Sequence, residues 1–165
     1  MAAQGRLERL ESRVETVIKW IVVVLLAVLC VNVFVQVILR YIFLYSSRWT
    51  LEFSRYLMIW AVLLVAGPAL KRGFLVGVDT LAERLRPRPR LWVACLLRVA
   101  MGVLSATIIL QSLKLMQSQW EMQQMSPALE IPIVFMYMAI PVGFALFLFF
   151  LIALIHRDLQ RLRRG

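Results

Sequence analysis

The stretch WIVVVLLAVLCVNVFVQVIL, residues 20–39, decides what kind of protein this is, because no charged side chain falls between Trp20 and Leu39. A helix rises about 1.5 Å per residue, so a run of this length crosses the roughly 30 Å of hydrocarbon in a bilayer. A basic segment, Arg6 to Lys19, precedes it. Secretory signals share that order, but their apolar stretch is only about 7–15 residues. Leu29 is also too bulky for a lipoprotein cleavage site before Cys30, so the run reads as an uncleaved membrane helix. Cys30 and Cys95 both lie in apolar runs and read as small hydrophobes, not as a disulfide framework.

Working outward, three further runs have the same character: residues 49–70, 91–116 and 131–155. The composition agrees. Of the 165 residues, 62% are hydrophobic, against about 45–50% in soluble domains. A soluble core of this size cannot hide that much apolar surface. The expected fold is an all-α integral membrane protein, one membrane domain over residues 1–165 with four transmembrane helices and short amphipathic surface helices.

The formal charge of +10 would suggest nucleic acid in a soluble protein. Here the cations sit between apolar runs, which points to loops facing anionic lipid and not to nucleic acid. The N-terminal segment carries Arg6, Arg9, Arg13 and Lys19. The second connector carries Lys71, Arg72, Arg84, Arg86, Arg88 and Arg90, and the 156–165 tail carries Arg157, Arg161, Arg163 and Arg164. The first connector has only Arg40 and Arg48, and the third, Gln117–Glu130, has neither Lys nor Arg. The positive-inside bias therefore predicts that both termini are cytoplasmic.

Ahead of the first span, Leu7, Leu10, Val14, Val17 and Ile18 recur at helical spacing, with Arg6, Glu8, Arg9, Glu11 and Arg13 on the other side. Two forms suit this 1–19 segment equally: a helix lying on the inner leaflet, or a helical extension of the first span. In the second connector Val78, Leu81 and Leu85 form a stripe. Asp79 is placed to cap it, and Pro87 and Pro89 to stop it. The third run, about 39 Å long as a helix, must tilt or protrude. Pro141 and Gly143 predict a kink near the middle of the fourth.

Charges at membrane depth need a reason. Glu52 and Arg55 lie three apart in the second span, share a helix face and are expected to pair, with Arg48 able to join them. The cluster suits either an ion pair that orients the helix or a docking point for another chain. Trp49, Glu52, Tyr56, Trp60, Leu63 and Gly67 continue as one stripe. Trp60 lies about 16 Å beyond Trp49, too deep for an interfacial belt, and is expected to pack against a helix. Arg98 snorkels to the cytoplasmic face and Lys114 to the opposite one. Gly102, Ser105 and Ser112 form a close-packing seam, and Asn32 and Gln36 offer hydrogen bonds to a neighbouring helix.

The one histidine, His156, is too few for paired haem ligation. No Cys/His cluster suits zinc, and neither a phosphate loop nor a G-x-S-x-G occurs. Mid-membrane carboxylate pairs for acid–base chemistry are also missing. The expectation is no enzyme and no cofactor.

The segment 48–57, with Trp49, Glu52, Arg55 and Tyr56, leads into a span bearing Trp60 and Gly67. Lys71-Arg72-Gly73 and Val78-Asp79 follow, then Pro127-Ala128-Leu129-Glu130-Ile131-Pro132 and Pro141-Val142-Gly143. In this order the motifs resemble the small (DctQ-type) membrane subunit of tripartite ATP-independent periplasmic (TRAP) transporters, over roughly Asn32 to Gly143. Two positions depart from the family pattern: Leu51 replaces the first of a Glu pair, and Leu75 stands where a histidine is frequent.

The resemblance implies a bacterial inner-membrane transporter of three parts for organic acid uptake. A periplasmic binding protein delivers the acid to a large (DctM-type) subunit that works as a sodium symporter in elevator fashion, and the small permease subunit is its fixed scaffold. It implies a subunit interface at Trp49, Glu52, Arg55, Tyr56, Trp60, Gly67, Pro127 and Pro132. Candidate contacts to phospholipid are Arg48, Trp49, Arg72 and Arg98, and to the binding protein Arg40, Arg48 and the Gln117–Glu130 loop. The residues by themselves leave a second plan open: an independent four-helix exporter working as a homodimer, with Glu52 as its essential acid.

Overall fold

The computed structural model describes residues 2–44, 48–71 and 87–164, with side chains over 9–44, 48–71 and 96–156. Four long helices account for most of them: α1 (Ala2–Tyr41), α2 (Arg48–Lys71), α3 (Pro87–Glu121) and α5 (Ala139–Arg164), with a single turn, α4 (Val134–Tyr137), before the last. Each long helix contains a stretch long and apolar enough to cross a membrane: Arg9–Tyr41, Arg48–Lys71, Leu96–Glu121 and Val134–His156. The protein is a multi-pass, all-helical membrane protein.

The N-terminal amphipathic segment continues into α1 without a break, so it takes the second of its two expected forms, an extension of the span. Glu11, expected among the solvent-facing residues, is 3% exposed. Lys71, in the last turn of α2, places its Nζ 2.8 Å from Glu15 Oε2 and 3.7 Å from Glu11 Oε2. Glu11, Val14, Glu15 and Ile18 recur at helical spacing, and Val14 and Ile18 pack into the core on the same side. Replacing Lys71 by Ala should remove the cation that ties Glu11 and Glu15 to the end of α2. The expected result is faster amide exchange over residues 9–18 and unchanged exchange over 25–36.

Pro87 and Pro89 lie in the first turn of α3, and the helix they were expected to stop lies outside the described residues. In a first turn their missing N–H groups have no intrahelical partner to lose. The stripe at Val78, Leu81 and Leu85 lies outside the described residues. α4 and α5 meet at Met138, which itself keeps helical angles (φ −60°, ψ −26°) and an N–H bond to the Val134 carbonyl. Pro141, in the first turn of α5, cannot donate to the carbonyl of Tyr137, so one bond of the ladder is missing there while the Val142 N–H still reaches Met138 O at 3.3 Å.

The helices do not close into a bundle. α2 packs on α1 and α5, and α3 packs on α5, giving the spatial order α1, α2, α5, α3. Ile18, Val22, Ala61, Leu64 and Phe150 form the core where α1, α2 and α5 meet. Trp60 packs against that cluster as its depth predicted. The middle pair, α2 and α5, run parallel and cross at two glycines. A Cβ on Gly143 would lie 2.6 Å from Leu63 Cβ, and one on Gly67 would lie 2.7 Å from Phe150 Cδ2. The predicted small-residue seam is the α3–α5 contact: Ser105 and Ser112 are buried and Gly102 faces Leu151. Both serine hydroxyls bond their own helix, to the carbonyls of Met101 and Ile109, which lets them sit in an apolar seam.

Candidate functional site

The polar groups gather at one end of the row, where α1 ends, α2 begins and the 122–133 connector returns. α3 stops in a Schellman arrangement. Gln123 takes a left-handed φ of 47°, its N–H donates to Trp120 O at 3.1 Å, and the Gln124 N–H reaches Gln119 O at 3.5 Å. The connector then folds on itself. The Ser126 N–H donates to Ile131 O (2.8 Å), the Glu130 N–H to Ser126 O (3.1 Å) and the Ile133 N–H to Gln124 O (3.1 Å). Glu130, at φ 52°, makes the sharp return, and Met125 pairs with Pro132 across the base.

Glu52 clasps this compact turn to α2. Its Oε1 accepts the Tyr56 hydroxyl at 2.8 Å, one helical turn along, and its Oε2 accepts the Ala128 N–H at 3.0 Å. The Ser126 hydroxyl hydrogen-bonds the same carboxylate, and Ser126 is 1% exposed. These charge-assisted bonds are the strong kind. The donors are hydroxyl and backbone groups, not a basic side chain.

The expected Glu52–Arg55 ion pair is absent: among the described residues the ion pairs within 4 Å join Lys71 to Glu11 and Glu15. A three-residue step leaves Arg55 about 60° round the helix from Glu52. Glu52 faces the connector, whereas Arg55 is exposed. Arg48 is exposed too and does not join a cluster.

A second tie joins α1 to α2. Asn32, 8% exposed, donates through Nδ2 to Thr50 O and to Ser54 Oγ, both at 2.8 Å. The interhelical role expected of Asn32 is therefore present. Asn32→Ala is expected to cost about 1 kcal/mol, the scale of such bonds between membrane helices. Reversible unfolding of the purified chain in mixed micelles would measure it.

The remaining sequence-named residues scatter. Trp49 is 44% exposed. Gly67 is enclosed by Phe150 and Leu146 of its own chain. Pro127 is exposed at the tip of the connector and Pro132 half-buried at its base. Arg40 is exposed, its guanidinium 6.0 Å from the Tyr41 ring centre. Arg98 is half-buried in α3. Arg72 and Leu75 lie outside the described residues. Sequence reasoning missed Ser126 and Ala128 as partners of Glu52. The one available signal was a connector free of Lys and Arg next to a carboxylate that needs donors.

The arrangement positions segments: it ties the connector to α2 and α2 to α1. The comparisons with known proteins fit that reading. The chain is 33% identical over 128 residues to the isethionate TRAP transporter permease protein DctMQ of Oleidesulfovibrio alaskensis, an alignment that takes in 74% of this chain but only 20% of that relative. The chain thus spans about a fifth of the length of the curated relative it matches. The family model for the DctQ component of tripartite ATP-independent periplasmic transporters matches residues 29–161. On that match, covering most of the chain, the end of α1 and the other three apolar helices, the protein belongs to the DctQ family, a membrane transport component and not an enzyme.

Proposed function

We propose that this chain is the fixed small subunit of a TRAP transporter, bracing a larger DctM-type subunit that moves the substrate. The observation that carries this reading is the open row. Only 11% of the most apolar window of α1, and the same share of that of α3, is buried within the chain. Large side chains such as Phe34, Val31, Val103 and Leu110 face outward. A bracing subunit needs broad apolar sides of this kind, and the clasped connector gives it a rigid end. The relative's name gives isethionate, an organic acid, as that protein's substrate. For this chain we carry over the class alone: an organic acid delivered by a periplasmic binding protein, with sodium driving an elevator motion of the large subunit.

Lys71 bonds the start of α1 at the end of α2, and the basic segments of the sequence belong to that end of the row. Positive-inside bias then places both termini in the cytoplasm and the Glu52-clasped connector on the periplasmic side of the inner membrane. There Arg40, Arg48 and Pro127 are exposed toward a binding protein or lipid headgroups. The exporter reading finds less support, because its essential acid, Glu52, is taken up by three donors of its own chain.

The test is to co-express the tagged chain with a DctM-type subunit, extract in mild detergent and reconstitute. The expected result is a stoichiometric complex that takes up an organic acid on a sodium gradient, with no uptake by the small chain alone. Uptake by the small chain alone would overturn the proposal.

A further inference from the structure

α1 and α2 pack closely where Ile18 and Val22 meet Ala61 and Leu64. Toward the cation-rich end of the row α2 offers only small side chains, Pro68 and Ala69, before Lys71 ends the helix. A groove of about 470 Å³ is left beside the seam. The buried Ile18, Val22 and Pro68 lie at its floor, and Val23, Val65 and Ala69 line its sides. Glu15 and Lys19 complete the lining.

The groove spans two environments. Lys19 immediately precedes the uncharged run 20–39, and Lys71 closes α2. Val23 lies about 6 Å beyond Lys19 along α1, and Val65 about 9 Å from Lys71 along α2. The polar end is therefore level with lipid headgroups, and the aliphatic part lies in the hydrocarbon. The two polar residues differ in what they still require. Glu15 Oε2 is 2.8 Å from Lys71 Nζ, so its charge is countered within the chain. Lys19 is exposed and takes no part in the ion pairs among the described residues. Its ammonium is a point charge suited to a phosphate oxygen. The groove is also narrow. From Glu15 to Val23 it follows α1 for about 12 Å, which gives it a mean cross-section of about 40 Å². That is about half the section of a helix roughly 10 Å across, so the slot takes a hydrocarbon chain or single side chains and not a helix.

We propose that this groove binds one phospholipid, with an acyl chain in the slot and the phosphate on Lys19. A lipid tail against the outer side of α3 has apolar contact alone. Here one molecule meets a buried aliphatic floor and, at the matching depth, a cation without an anion of its own. A side chain from another protein would fill the slot and leave Lys19 unmatched. Both halves of the site belong to this chain, so the proposal rests on its helices crossing a bilayer and not on the subunit reading above.

The experiment uses the full chain purified alone in mild detergent, stripped of lipid and titrated with dioleoylphosphatidylglycerol under native mass spectrometry. Expected is one lipid bound per chain at concentrations where further lipids dissociate. Lys19→Glu should weaken this first binding by more than about tenfold, and Lys19→Arg should keep it. Val65→Trp fills the slot from an exposed side and should weaken binding comparably with Lys19 intact. Val31→Trp, also exposed but about 18 Å from Lys19 along α1, should leave it unchanged. All four substitutions are at exposed positions, so thermal midpoints should stay near that of the parent. Phosphatidylglycerol with a diazirine in its acyl chain should label residues 18–23 and 65–69. Binding unchanged in Lys19→Glu or in Val65→Trp would overturn the proposal. So would several equivalent lipids binding together, or label spread over the exposed sides of α1 and α3, since either means annular lipid only. Because no large subunit is present, none of these results bears on whether the chain joins one.

Discussion

Replacing Gly143 by valine should abolish the native packing of α2 on α5. Even the first atom of a side chain there would lie 2.6 Å from Leu63 Cβ, 3.1 Å from Leu63 O and 3.2 Å from Leu63 C. None of these atoms moves by rotating a side chain, so the two helices must separate. The opposing effect is helix propensity, which favours alanine over glycine by about 1 kcal/mol and most other residues by less. Overpacking a tight seam costs typically 1–3 kcal/mol, and about 3 is expected where backbone must shift. The steric effect wins. Gly143→Val should shift most of the protein into aggregate on size exclusion in mild detergent, and Gly143→Ala should lower its thermal midpoint. Gly67→Ala should cost less, because its closest neighbour, at 2.7 Å, is the edge of the Phe150 ring and not backbone. Gly102→Ala reverses the sign. Its Cβ would meet Leu151 Cδ2 at an ordinary 3.6 Å, so propensity and added contact should leave the variant as stable as the parent or slightly more so. Equal loss at Gly143 and Gly102 would show that the crossing is not the tight point of the fold.

Replacing Glu52 by alanine should free the connector while leaving the four helices in place. The Ala128 N–H, the Ser126 hydroxyl and the Tyr56 hydroxyl all lose their acceptor. Ser126 is nearly inaccessible to water, so an unmade bond there is not replaced cheaply by solvent. Hydrogen exchange should rise by more than about tenfold at Ala128 and Leu129, whose amides bond Glu52 and Ser126. Exchange in α2 beyond Trp60 should be unchanged. Glu52→Gln keeps one acceptor oxygen and removes the charge, so it should fall between the parent and Glu52→Ala. Because the clasp uses backbone and hydroxyl donors, Arg55→Gln should leave connector exchange unchanged. An Arg55→Gln effect equal to that of Glu52→Ala would restore the ion pair that the geometry excludes.

Several features of this protein were legible from residues alone. The four spans follow from runs of apolar side chains and their lengths, because transfer free energy is close to additive along a helix. The interhelical bonds of Asn32, the seam at Gly102, Ser105 and Ser112, and the packing role of Trp60 follow from helical spacing and depth. The motifs around Glu52 and Pro132 carry the resemblance to a TRAP small subunit. The partners of Glu52 were not legible. Spacing on one helix favoured Arg55, three residues away, whereas the fold supplied Ser126 and Ala128, more than 70 positions on. Glu11 was misplaced for the same reason, since its cation, Lys71, sits on another helix.

What the sequence by itself determined is thus the class of protein, the number of crossings and the end of the row where cations collect. Only the tertiary structure decided the order α1, α2, α5, α3, the clasp of Glu52 on the connector and the groove between α1 and α2 beside Lys19. Hydrophobic length and charge bias are local sums that any window of the chain reports. The choice of partner is a comparison among many pairings of similar energy. It is settled by which backbones can approach closely, as Gly67 and Gly143 allow α2 and α5 to do.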